Sequence, residues 1–425
     1  MKVLIVGSGG REHALAWKVA SDAAVDSVIA APGSAGIARV AECVAVGADD
    51  VEGLAGLAAE RGVDLTIVGP EAPLAAGIVD RFKAGGLRVV GPDRAGARME
   101  ASKAFTKEVL VAAGVPTAAY GEFTEAGPAR AFARELGLPV VVKADGLAAG
   151  KGVVICHGTD EVDAAIADML ERDRFGEAGR RIVVEEFLAG EEASFIALTD
   201  GRNVLPMAPS QDHKAVFDGD RGPNTGGMGA YSPAPVVDDR LAAEITETII
   251  APTVAELAAR GIDYRGVLYA GLMIADGKPK VLEYNVRFGD PECQPLMFRL
   301  RSSLVELLDA CVDGTLDRVR PQWEDGASVC VVMAAEGYPG SYEKGRVIHG
   351  IDDVDGLPDV EVFHAGTTRD AEGRWTTAGG RVLGVTARGC DVAEAVRRSY
   401  DAVSKISWQG AHYRTDIAHR AIGHG

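Results

Sequence analysis

Paired cysteines are missing from this chain. The six cysteines, at positions 43, 156, 293, 311, 330 and 390, are scattered and form no CxxC spacing. That argues against a zinc ribbon or a disulfide framework and predicts buried thiols. Positive charge is also short: 44 Lys and Arg face 62 Asp and Glu, a formal net charge of −18. A nucleic-acid binder normally shows a basic face, so that class is disfavoured, although a local basic cluster around bound phosphates fits an acidic total. No apolar run is long enough to span a bilayer. The opening MKVLIVGSGG reads as a strand entering a glycine turn, without the length and flanks of a signal peptide. Internal repeats and low-complexity tracts are absent, which removes solenoids. What remains is a cytoplasmic chain of 425 residues, 47% hydrophobic. It is too long for one compact core and suits two to four domains.

Glycine punctuates what is there. Residues 3–6, 27–31, 65–68 and 88–90 read as strands, each running into a glycine turn, and residues 11–20 have helical spacing. Strand, turn and helix in succession predict a parallel sheet whose ligands bind beyond the carboxyl ends of the strands. Residues 101–113 predict a helix ended by Gly114 and Pro116. Strands 139–143, 153–156 and 181–186 and a helix 160–170 then form a small lid-like unit. Strands 194–199, 266–275 and 280–285 belong to a larger α+β unit, and strands 328–334 and 381–387 to a β-rich end.

Several stretches carry chemistry. The loop 145–152 holds Gly146, Gly150 and Gly152 around Lys151, so backbone amides can close on phosphate oxygens with Lys151 adding charge. Its spacing is not that of a P-loop, because Gly152 stands where a magnesium-binding Ser or Thr belongs and no helix follows. Lys143 ends the preceding strand, well placed to reach a phosphate. Glu185, Glu186, Phe187 and Leu188 leave a strand edge suited to adenine, and Glu192 could accept from ribose hydroxyls. Glu283 and Asn285 point to one face of a strand and offer hard oxygen ligands for Mg²⁺ or Mn²⁺. Arg287 follows within reach of an anion. Asp290 reads as the N-cap of a helix 291–300, with Pro291 in its first turn. The runs 210–214 and 222–229, with Asp212, Lys214, Thr225, Gly226 and Gly227, frame a loop that wraps a ligand. His213 reads better as a hydrogen-bonding loop residue than as a general base. Gly9, Gly10, Arg11 and Glu12 open a helix after a strand, geometry that holds a phosphate. The dinucleotide fingerprint fails there, since Glu12 replaces the third glycine and no acid ends the second strand; a phosphosugar is expected instead of NAD. Glu71, on the same rim, can meet sugar hydroxyls or an amine.

Taken together, GGREHALAW from Gly9, KADGLAAGKGVV from Lys143, SQDHK from Ser210, GPNTGGMGAYSPAP from Gly222 and RFGDPE from Arg287 resemble the glycinamide ribonucleotide synthetase family of the ATP-grasp superfamily. The resemblance spans essentially the whole chain and looks like the monofunctional form. It implies an α/β and α+β multidomain fold. A parallel pre-ATP-grasp domain (1–102) precedes a two-part ATP-grasp domain (103–121 with 194–325), a mobile lid (122–193) and a C-terminal β-rich domain (326–425). It implies ATP-driven joining of glycine to 5-phosphoribosylamine by a monomer acting on small molecules. Lys103 and Lys143 would hold ATP phosphates, 185–188 the adenine, Glu192 the ribose, and Glu283 with Asn285 the metal; Lys143, Arg287 and Asp212 are the candidates for the catalytic centre. Many relatives in the superfamily carry a further acidic ligand on the preceding strand, yet 270–274 has none. Rival expectations are another ATP-grasp ligase of purine biosynthesis, a dinucleotide-dependent dehydrogenase and a non-catalytic nucleotide sensor. If a lid closes over nucleotide, proteolytic cleavage near residues 146–152 should fall when MgATP is added; unchanged cleavage would argue against the lid.

Overall fold

The computed structural model describes residues 1–147, 152–172 and 174–422. The N-terminal unit is a five-stranded parallel sheet in the order Glu42–Cys43, Ser27–Pro32, Lys2–Gly7, Leu65–Val68, Val89–Val90. Val3, Leu4, Ile5 and Val6 are all fully buried, as expected of a central strand covered on both faces. The strand Glu42–Cys43 was not expected: it is two residues long, both exposed, and leaves no apolar pattern. Cys43 and Cys390 are exposed, which corrects the expectation of buried thiols; the other four are buried.

The helix expected over 101–113 is Lys103–Ala112, and a further helix, Arg94–Ala101, precedes it. Ser102 breaks them with extended backbone (φ −142°, ψ 112°) and caps the second by accepting from the Phe105 amide. Asp145 locks this corner. It accepts from Ser102 Oγ at 3.0 Å and from the Ala104 amide at 2.8 Å. The lid is a four-stranded sheet ordered Tyr120–Phe123, Ile182–Glu186, Val140–Ala144, Val153–Cys156. It packs its own core, including Val140, Val142, Ile166 and Ile182.

The main sheet is antiparallel, ordered Val204–Pro206, Glu191–Asp200, Arg265–Ala275, Lys278–Asn285. Its register sets Gly271 opposite Glu283 and Tyr269 opposite Asn285. The C-terminal sheet crosses the boundary expected at 326. Gly229–Ser232 pairs with Ala327–Ala335, and Gln211–Asp212 pairs with Gly229–Ser232. The helix expected over 291–300 is Cys293–Arg299, with Glu292 at its N-cap. Asp290 is therefore not the cap: it sits in the preceding turn, bound to other partners. Among the described residues no helix is long and apolar enough to cross a membrane.

One cluster of buried side chains runs from the N-terminal sheet (Leu4, Val6) into the main sheet (Phe195, Leu268). The two units also touch backbone to backbone. Gly266 has φ +129°, and a Cβ there would lie 2.9 Å from Gly91 Cα. Gly86 has φ +69° but open space around it. Gly86→Ala should cost about 1 kcal/mol of left-handed backbone strain. Gly266→Ala adds a clash with an unyielding backbone and should lower the thermal midpoint distinctly more; equal shifts would show that the contact yields.

Candidate active site

A cleft of about 730 Å³ lies where the lid, main sheet, N-terminal rim and C-terminal sheet meet. On its lid side, Lys143 is buried; its Nζ lies 3.0 Å from Glu185 Oε2 and donates to the Leu282 carbonyl at 3.1 Å. Lys107 approaches the same Glu185 oxygen at 3.4 Å and donates to Thr117 Oγ1 at 2.7 Å. Burial pulls the Lys107 ammonium down to about 8, although Glu185 opposes the shift. Lys103, one helical turn before Lys107, donates to the Gly146 carbonyl at 3.4 Å. Burial and Lys143 lower its pKa against the pull of Glu283 and Asp145. Lys103, Lys107 and Lys143 thus line one wall. The sequence shows the four-residue spacing of Lys103 and Lys107, but nothing in it marks Glu185 as the partner of Lys107 and Lys143. The side chain of Glu185 serves the lysines instead of reaching a base; Glu185 Oε1 is buried without a hydrogen bond.

Both ends of the glycine loop are held. The Gly146 amide donates to the Ala178 carbonyl at 3.3 Å, and the Gly152 carbonyl accepts from Ala144 at 2.8 Å. Gly150 and Lys151 lie outside the described residues. Phe187 and Leu188 line the cleft just past the strand Ile182–Glu186. Glu186 turns to the Ala119 amide at 3.3 Å and lies 3.9 Å from Lys280.

The floor is charged. Lys214 bridges Glu192 and Asp212, the latter at 3.2 Å. Burial alone would lower its pKa, but the two carboxylates hold the ammonium charged well above its ordinary range. Glu283 also faces this floor. Burial would raise its pKa; Lys214, Lys143 and Lys103 outweigh that and keep it ionised. Among the described residues its carboxylate has no hydrogen-bond partner. Asn285, two residues on, offers Oδ1, which accepts from Arg287 Nη2 at 3.2 Å. No group of three or more His, Cys, Asp or Glu suited to a metal occurs among the described residues. A cation here would rely on the Glu283–Asn285 pair, and their hard oxygens fit Mg²⁺ or Mn²⁺. The buried Glu292 also reaches this floor, where it accepts from Tyr269 and, at 3.2 Å, from Ser194.

On the rim, Arg287 Nη2 donates to Glu100 at 2.8 Å, and its Nε faces Glu71 Oε2 at 3.4 Å. Arg11 reaches the cleft and bonds the Phe288 carbonyl at 3.1 Å. Gly9, Gly10 and Glu12 stand behind it. Glu12 folds back to accept from the Gly9 amide at 2.7 Å, using the donor that a phosphate would need. Asp290 pairs with Arg381 at 2.9 Å and accepts from Gln294 at 2.8 Å. Arg381 also donates to the Gly226 carbonyl at 2.6 Å, so the C-terminal sheet closes this wall. Thr225 and Gly226 line the cleft, while Gly227, at φ +111°, backs onto Pro291. His213 points away and accepts from the Ala418 amide at 2.9 Å. Lys107, Glu100, Tyr269 and Glu292 escaped the sequence reading because each is identified only by partners far along the chain.

The chain matches the models of the phosphoribosylglycinamide synthetase N domain over residues 1–100, ATP-grasp (A) domain over 101–293 and C domain over 328–420. It is 57% identical over 425 residues to the phosphoribosylamine–glycine ligase of Allochromatium vinosum, covering 99% of each chain. With the Salmonella typhimurium protein of the same name it shares 55% over 425 residues, again 99% of each. The crystal structure of phosphoribosylamine–glycine ligase from Thermotoga maritima is 32% identical and superposes with a TM-score of 0.84, over 98% of this chain and 100% of that one. The biotin carboxylase domain of Hydrogenobacter thermophilus 2-oxoglutarate carboxylase shares the fold alone, at 19% identity and TM-score 0.74 over 97% of this chain and 91% of that one.

Lys143→Ala removes the central cation of the lysine wall. It should weaken binding of a non-hydrolysable ATP analogue at least tenfold, about 1.4 kcal/mol. Unchanged affinity in a calorimetric titration would remove Lys143 from the phosphate site.

Proposed function

We propose that this chain, which belongs to the phosphoribosylglycinamide synthetase family, uses ATP to join glycine to 5-phosphoribosylamine, giving glycinamide ribonucleotide, ADP and phosphate in purine biosynthesis. The observation that carries the reading is the meeting of three lysines with a strand bearing Glu283 and Asn285 across one cleft. Such an arrangement neutralises and aligns a triphosphate.

A carboxylate is a poor acceptor for an amine, because oxide would have to leave. Moving the γ-phosphoryl group onto a glycine carboxylate oxygen, with ADP departing, gives glycyl phosphate. The sugar amine then attacks the acyl carbon; phosphate leaves and the nitrogen sheds a proton. In-line phosphoryl transfer asks mainly for positioning and charge neutralisation. Lys103 and Lys143 supply positive charge on the phosphate side. Phe187 and Leu188 form the adenine side, and Glu192 is placed for the ribose. Arg287, half-buried beside Glu71 and Glu100 at the edge of the cleft, is placed to hold the glycine carboxylate. Arg11 and Glu71 face the phosphosugar, with Thr225 and Gly226 on the opposite wall. Asp212 and Lys214 stand at the reacting end. A divalent cation, held by Glu283 and Asn285, would neutralise phosphate charge; Mg²⁺ and Mn²⁺ both suit these donors. The lid over 122–193 would exclude water from the acyl phosphate. The same reading takes the enzyme as a cytoplasmic monomer that acts on small molecules and not on nucleic acid.

A coupled assay with freshly made phosphoribosylamine should show ADP formation that requires glycine. ADP release without glycine, or with other carboxylates equally, would overturn the assignment. Glu283→Gln should lose at least about a hundredfold in turnover with circular dichroism unchanged. Near-normal activity would remove Glu283 from the metal site.

A further inference from the structure

The hairpin formed by Ala215–Phe217 and Arg221–Asn224 is gripped at two ends. At its base, the Thr225 amide and Oγ1 both donate to the Lys214 carbonyl at 2.8 Å, so Asp212, Lys214 and Thr225 face the cleft as one unit. Its far end is held by the chain's C-terminal segment. Arg414 is wholly buried. Its guanidinium forks onto Asp416 at 2.7 and 2.8 Å, and Nη1 reaches Asp220 Oδ1 at 2.9 Å and the Ala215 carbonyl at 3.2 Å. Asp416 in turn accepts from the Gly219 amide at 2.8 Å. Asp218 accepts from the Thr415 amide at 2.8 Å. Asp220 has φ +54°, a left-handed conformation that a non-glycine residue keeps only where its surroundings enforce it.

None of these tip residues reaches the cleft. We infer that Arg414, acting with Asp220 and Asp416, is a positioning residue: it sets the hairpin so that Asp212, Lys214 and Thr225 present the right surface to the two ligase substrates. A buried guanidinium satisfied on every side, tying a strained turn to the last segment of the chain, is a costly arrangement to build for a loop of no consequence. A planar fork is also what fixes the angle as well as the distance between two carboxylates. The ATP-facing lysines stand on the lid and on the helix Lys103–Ala112, outside this clamp. Lys214 also meets Glu192 on the ribose side, so the clamp should act on all three substrates, and more strongly on glycine and phosphoribosylamine than on ATP.

This inference rests on the ligase reading, and the experiment separates the two. Arg414→Ala and Asp220→Asn are compared with wild type for the KM of glycine, phosphoribosylamine and ATP, with thermal midpoints measured alongside. KM for glycine or phosphoribosylamine should rise about tenfold or more, with a smaller rise in KM for ATP. A fall in kcat or midpoint with all three KM values intact, or an equal rise in all three, overturns the positioning role. If Arg414→Ala is insoluble, Asp220→Asn decides by the same criteria. Wild type lacking glycine-dependent turnover defeats the ligase reading instead. The clamp then still predicts faster proteolysis within 213–225 in both variants, and equal cleavage overturns it.

Discussion

Three ammonium groups crowded onto one wall of a cleft repel one another, and the architecture depends on how that repulsion is contained. Glu185 does most of it: one of its oxygens faces both Lys143 and Lys107. Glu283 works from the opposite strand, where three lysines keep it ionised despite burial. Breaking one member of such a set leaves a buried charge unpaired, which costs far more than the pair contributes. The wall therefore stands as one preorganised set of charges. That is what a phosphoryl-transfer site requires, since little covalent help comes from the protein.

The register of the main sheet supplies the other half. A bulge between Gly271 and Leu272 shifts the pairing so that Glu283 faces Gly271, whose missing side chain leaves room for the carboxylate. Tyr269, opposite Asn285, instead turns its hydroxyl to Glu292. The strand neighbouring Glu283 and Asn285 thus contributes space and a hydrogen bond, and no carboxylate of its own.

Much of this was legible in the sequence. Parallel strands ending in glycine turns, the hairpin around the glycine loop and the adjacent Glu283 and Asn285 are all local patterns with local causes. The family resemblance rested on such runs. What sequence could not show depends on long-range pairing. Ser102 looks like an ordinary helical residue until Asp145, 43 positions away, draws on its hydroxyl. Asp290 followed by proline imitates a helix cap, but Arg381 claims the carboxylate and the helix starts later. Glu12 carries no sign in the sequence that its carboxylate accepts from the Gly9 amide.

The C-terminal sheet borrows Gly229–Ser232 from within the ATP-binding region and pairs it with Ala327–Ala335. A ribosome delivers these strands in order, so the earlier one must wait for its neighbour to emerge. Domains made first generally fold first. Here the nucleotide half can mature during synthesis, whereas the wall carrying Asp212 and Thr225 is completed only once the strand Ala327–Ala335 has emerged. An unfinished polypeptide would thus be able to grip a nucleotide before it could spend one.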